Sequence, residues 1–215
     1  TDHITKKTHL IKTWCKMAGV KHNGEGPELN FNFRELEEGA AYINQFKTDN
    51  RPTLLFQPFG GPGPDHQQHP YSWTRDMHPK QAQEVINGLA QKYNIIHLCY
   101  EFHPRLQNCH RFDKTVGKKA LFAMTGNVDK RLFIDSSLQH AAAALGKVST
   151  VLWIATQPKI FGYKLHDNIG PKKEYLDGHI DSYLFDYNFT GTIYECPYKS
   201  IDDLHDVNAI IQSVG

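Results

Sequence analysis

Short unbroken apolar runs alternate along this chain with longer stretches in which apolar residues recur every three or four positions. The first pattern reads as strands buried on both faces, and the second as helices with one covered stripe. "TLLFQ" (53–57), "NIIHLCY" (94–100), "RLFID" (131–135) and "STVLWI" (149–154) are the strand candidates. Between them lie helix candidates at Pro79–Tyr93, with proline in the first turn where its missing N–H costs nothing, at "KALFAMTGN" (119–127), and at the alanine-rich 138–145. Strands that alternate with helices predict an α/β fold: an open, mostly parallel Rossmann-like sheet with helices on both faces.

The ends of the chain follow the rhythm less closely. Ile4, Leu10, Ile11, Trp14, Met17 and Ala18 predict a helix over residues 1–20 that stops at Gly19. "LNFNF" (29–33) alternates like a short strand, and Arg34–Phe46 reads as a helix that Asp49–Pro52 breaks. Residues 1–50 are therefore expected to form a helical linker or extension, and residues 51–215 the sheet domain. "SYLFDY" and "TIYEC" look extended. "IDDLHDVNAIIQSV" reads as a closing helix whose cap would be Ser200, with acids in its first turn.

Composition narrows the classes. The 215 residues are 40% hydrophobic and 22% charged, which allows a packed core. A formal net charge of +1 gives no global reason to expect nucleic acid as a partner, so any anion site must be local. No apolar run reaches the roughly 20 residues that span a bilayer. No signal-peptide pattern opens the sequence, and its start at Thr1 reads as a trimmed chain. Cys15, Cys99, Cys109 and Cys196 form no CxxC pair, so a reduced, cytoplasmic chain is expected, at most peripheral to a membrane. The thirteen histidines, among them His66, His69, His78, His97, His103 and His110, are scattered without HExxH spacing, and no metal site is expected.

In open α/β sheets ligands bind beyond the carboxyl ends of the strands, and three polar loops of this chain leave strands at that edge. "QPFGGPGPDHQQHPYSWTRD" offers Gly60 and Gly61, whose N–H groups can approach a ligand, and Thr74–Arg75, where the guanidinium can grip phosphate bidentately. It is not a GxGxxG or P-loop fingerprint. "CYEFHPR" places Glu101 where a carboxylate can accept ribose hydroxyls, or stand as a surface acid beside a proline turn. "FIDSSLQHAAAALG" turns from a strand into a helix through Asp135, Ser136 and Ser137, with His140 in the first turn. Free N–H groups at that end would attract an anion, unless the turn is only a well-capped helix start. A Ser/His/Asp hydrolase would need small residues around a strained serine, and Ser136 and Ser137 lack them.

"LFIDSSLQHAAAALGKVSTVLWIATQP" resembles the D-[ST]-G-x-x-H-x-A-x-A-L-G-x-P-[TV]-[VL] signature of the heptosyltransferase-like glycosyltransferases of family 9. Asp135, Ser136, His140, the alanine run and Leu145–Gly146 stand at matching places. "THLIKTWCKMAGV", "TLLFQPFGG" and "SWTRDMHPKQAQEVINGLAQKYNIIHL" match further segments in order. Three positions depart: Ser137 replaces a glycine, Val148 a proline, and Arg75 stands near a lysine.

The resemblance implies the C-terminal, donor-binding half of a GT-B enzyme, in which two Rossmann-like domains face across a cleft. It implies inverting transfer of a sugar from a nucleotide-diphosphate sugar to a hydroxyl of a carbohydrate or glycolipid acceptor. Residues 51–215 would be the nucleotide-sugar-binding domain. An acceptor-binding domain with the catalytic base would lie outside this sequence. Gly60, Gly61, Arg75, Ser136 and Ser137 would hold the diphosphate, and His140 would contact phosphate or hold the turn. Thr74 and Asp135 would belong to the same substrate site, Glu101 would bind the ribose, and the region around Val116 would line the base pocket. No cofactor is implied, and helix and side-chain charges would stand in for a metal. A non-catalytic nucleotide-binding domain and a GT-B-like epimerase are the rival readings.

Overall fold

The computed structural model describes residues 8–61, 72–175, 198 and 200–215. Two helices, α1 (Leu10–Met17) and α2 (Phe33–Asn44), precede the sheet. The sheet is built from β1 (Thr53–Gln57), β2 (Asn94–Leu98), β3 (His110–Phe112), β4 (Lys130–Ile134), β5 (Thr150–Leu152) and β6 (Asp167–Ile169). The connecting helices are α3 (Pro79–Leu89), α4 (Lys118–Asn127), α5 (Ser137–Ala144) and the short α6 (Pro158–Phe161), and α7 (Val207–Val214) closes the chain.

Strand order is β3-β2-β1-β4-β5-β6, and every neighbouring pair is parallel. The unbroken apolar runs follow from this arrangement, since the four inner strands bury side chains on both faces. Leu54, Phe56, Ile95, Leu132, Ile134 and Leu152 point to one face and pack with Val85, Ile86 and Leu89 of α3 and Ile210 and Val214 of α7. Leu55, Ile96 and Phe133 point to the other and meet Met124 of α4, Leu138 and Ala142 of α5, and Ile43 of α2. The sheet thus has helices on both faces. The alanines of α5 let it lie close: Ala141 and Ala142 are buried.

The structure corrects several sequence expectations. "LNFNF" is not a strand. Asn32 instead caps α2, its side chain accepting the Glu35 N–H while Glu35 accepts the Asn32 N–H, and this capping box outweighs the alternation. The first helix covers only Leu10–Met17 among the described residues, beginning after His9, whose ring accepts the Ile11 N–H. The closing helix starts at Val207. Asp206 caps it through the Asn208 and Ala209 N–H groups, whereas Ser200 bonds to Asp202. "SYLFDY" and "TIYEC" lie outside the described residues, as do His66, His69 and Cys196. Among the described residues Cys15, Cys99 and Cys109 are free, and no helix is long and apolar enough to cross a membrane.

Candidate functional site

The strand order reverses direction between β1 and β4, and a doubly wound sheet opens a crevice at that point. A cleft of about 460 Å³ lies there, beyond the carboxyl ends of β1, β2 and β4. Its floor is a contact between the two central strands' ends. The Ser136 hydroxyl donates to Gln57 Oε1 at 2.6 Å and also caps α5, accepting the Leu138 N–H at 3.2 Å. Ser136 is thereby fully engaged. Ser137, the first residue of α5, is exposed to the cleft, and neither its N–H nor its hydroxyl has a partner among the described residues. Its backbone φ is not positive, so the glycine that the family signature carries there is not required by conformation.

Facing the α5 terminus are Gly60, Gly61 and Arg75. Arg75 lies over Gly60: a Cβ at position 60 would sit 2.7 Å from its Nε. The guanidinium is exposed and forms no salt bridge among the described residues. The Gly60 N–H, expected to face a ligand, is instead consumed by Asp76 Oδ1 at 2.8 Å. The Gly61 N–H has no partner among the described residues. Burial pushes the Asp76 carboxyl up to about 6, against the two N–H groups it accepts and the Arg75 charge. Beside the α5 terminus the cleft therefore presents the Arg75 guanidinium and two unpartnered amide N–H groups, with Lys114 and Asp113 also in its lining. The guanidinium and amides together suit a multivalent anion.

The other wall is apolar. Leu98, Val116 and Leu121 line it, with Tyr100 stacked on Phe102 at a centroid distance of 5.5 Å. Thr115 and Lys114, from the turn after β3, complete the rim. His103 supports this wall without serving as a cation. Its Nδ1 accepts the Tyr100 N–H at 3.0 Å, so the proton sits on Nε2, which bonds the Gly60 backbone. Burial lowers its pKa to about 4.

The cleft thus gathers Gly60, Gly61, Arg75, Val116, Ser136 and Ser137 from the sequence candidates. Thr74, Glu101, Asp135 and His140 are not among its lining residues. Thr74 holds the turn before α3, with its hydroxyl on Ser72 at 2.9 Å and its carbonyl on the Ala155 N–H at 3.0 Å. The Glu101 carbonyl accepts Arg111 Nη2 at 3.0 Å. Asp135 accepts the buried Gln139 amide. His140 leaves α5 on its far side, where Nδ1 meets Tyr163 Oη at 2.8 Å, and burial lowers its pKa despite the Asp135 charge. Gln57, Asp76 and Tyr100 went unselected in the sequence. Gln57 closes a strand run and Tyr100 another, so position at a strand end was a signal for both. Asp76 carried none.

No protein-family model matches this sequence, and no curated protein sequence matches it. Solved structures do. A family 9 glycosyl transferase from Veillonella parvula superposes with a TM-score of 0.64 at 10% identity, over 96% of this chain and 58% of that one. The Escherichia coli heptosyltransferase WaaC with ADP gives 0.55 at 12% identity, over 97% of this chain and 57% of that one. The parallel sheet with helices on both faces is the fold of a little over half of each of these two glycosyltransferases. The chain spans less than two thirds of the length of these neighbours, and the resemblance in fold agrees with the α/β architecture expected from the apolar rhythm.

Proposed function

We propose that this chain is the donor-binding half of a glycosyltransferase that transfers a sugar, with inversion, from a nucleotide-diphosphate sugar to an acceptor hydroxyl. The observation that carries the reading is the cleft at the strand-order reversal. There, Arg75 and the unpartnered Gly61 and Ser137 N–H groups stand opposite the apolar wall of Leu98, Val116 and Leu121. A diphosphate would lie between the cation and the α5 terminus, where developing charge on the leaving group is stabilised by fixed donors. The base would lie along the apolar wall. Thr74, Asp135 and His140 hold the surrounding turns in this reading, and Glu101 lies outside the cleft. The solved heptosyltransferase with ADP supports a nucleotide of this class. The acceptor, the catalytic base and an acceptor-binding domain belong to parts of the enzyme outside this chain.

The test is a thermal-shift and calorimetric screen of the 215-residue chain against ADP-, UDP-, GDP- and CMP-sugars. A ligand at about 100 times its Kd stabilises by about 2.7 kcal/mol, or roughly 5–11 °C for a chain of this size. Saturable binding of at least one diphosphate sugar, weakened by Arg75→Ala, is the expected result. Failure of all four classes to bind would overturn the reading. Inversion is read from the anomeric configuration of the product made by the full-length enzyme.

A further inference from the structure

One buried carboxylate joins the glycine pair after β1 to the turn that carries Arg75, and it does not line the cleft. Asp76 is 4% exposed. Its Oδ1 accepts the Gly60 N–H at 2.8 Å and its Oδ2 the Ser72 N–H at 2.8 Å. The turn itself is docked by other means. The Asp76 N–H donates to the Ser72 carbonyl at 2.9 Å, the Met77 N–H to the Pro58 carbonyl at 2.9 Å, and Trp73 is buried against Ile154 and Tyr198. What Asp76 adds is the spacing between Gly60–Gly61 and Arg75.

We infer that Asp76 is a positioning residue for anion recognition, its ionised carboxylate setting the Gly61 N–H and the Arg75 guanidinium side by side without touching the ligand. The inference rests on the reading of the cleft as a diphosphate site. A carboxylate has acceptor lone pairs for both amides, whereas a protonated acid turns one oxygen into a donor facing an N–H. Because burial raises this carboxyl to about 6, the hold is complete above that pH and is lost as pH falls through it. The charged group facing it is Arg75. His103, across the Gly60 backbone, stays neutral throughout this range, with a pKa near 4.

The experiment is calorimetric titration of the wild-type chain and of Asp76→Asn with ADP-glucose, UDP-glucose and GDP-mannose between pH 5 and pH 7.5. The diphosphate diester of these probes does not titrate in that window. Wild-type affinity should fall by about tenfold from pH 7.5 to pH 5, following one proton. Asp76→Asn, whose amide meets an N–H with a donor, should bind about tenfold more weakly at pH 7.5 and show no pH dependence. A thermal melt shows whether the variant folds. If it does not, the wild-type profile decides alone, and a flat profile overturns the inference. Wild-type-like affinity and pH profile in folded Asp76→Asn also overturns it while leaving the donor site standing. If the wild-type chain binds none of the probes at any pH, the donor reading and this inference fall together.

Discussion

Gly60→Ala should remove Arg75 from the cleft while leaving the chain folded. A Cβ at position 60 would lie 2.7 Å from Arg75 Nε, 3.0 Å from Cζ and 3.1 Å from Nη2. Relaxed contacts need about 3.5 Å, so the guanidinium must move by roughly 0.5–1 Å or swing away. It can do so because it is the far end of an exposed, flexible side chain. The Gly60 backbone is not in the left-handed region, so alanine adds no strain there. Stability should change by no more than about 0.5 kcal/mol. Affinity should change far more, because a charge-assisted contact from guanidinium to phosphate contributes about 1.5–3 kcal/mol. A loss of about 2 kcal/mol corresponds to roughly 30-fold in Kd. Arg75→Ala should cost the same, and the double variant no more than either single one, which gives a coupling energy of about 2 kcal/mol. The assay is calorimetry with a diphosphate sugar at fixed salt, alongside a thermal melt of each variant. Wild-type affinity in Gly60→Ala would refute the reasoning, as would single effects that simply add.

Gly39→Ala should destabilise the fold, since its Cβ would meet Ala123 Cβ at 2.6 Å and the Met124 N at 2.8 Å, and backbone on α4 cannot yield. Overpacking of about 3 kcal/mol outweighs the helix-propensity gain of about 1 kcal/mol, so Tm should fall by roughly 4–8 °C. Gly126→Ala, which meets only the tip of Leu145 at 3.3 Å, should not lower Tm, and equal Tm changes in the two variants would contradict the α2–α4 contact. Acid should destabilise the protein through three buried histidines, with burial lowering His97 to about 3 and His103 and His205 to about 4. The unfolded chain takes up these protons near 6.5, so the stability they contribute is complete above that pH and is lost as pH falls toward 4 and 3. Asp76 acts in the opposite sense between about 6 and its ordinary 3.8, one group against three. The urea midpoint should therefore fall from pH 6.5 to 4.5, more shallowly in His205→Gln, and a rising midpoint would contradict the burial described.

The four inner strands were legible because burial on both faces leaves an unbroken apolar run, and β1 coincides with "TLLFQ". The two edge strands were not. β3 and β6 have three residues each, and His110, Arg111, Asp167 and Asn168 keep contact with solvent, so no apolar run marks them. The alternation in "LNFNF" misled because a local capping box, whose signal is only Asn and Glu three apart, competes with pairing to a distant strand. The cleft was legible where it depends on strand ends and a helix start, as at Gly61 and Ser137. It was not legible where partners come from elsewhere in the chain. Asp76 takes the Gly60 N–H, and Tyr163 draws His140 to the far side of α5, and neither pairing leaves a trace in sequence spacing.

The earliest strand in the chain is a central one, paired with β2 along one edge and with β4 along the other. During synthesis from the N-terminus, β1, β2 and β3 can associate while the backbone of Leu54–Gln57 still lacks its second neighbour. That bare edge is a template for wrong pairing until β4 emerges. The same event that covers it also brings Ser136 onto Gln57. The cleft therefore cannot exist in a half-made protein: its appearance and the protection of the nascent sheet are one step, and a ligand that occupied it would report that the two halves of the sheet have joined.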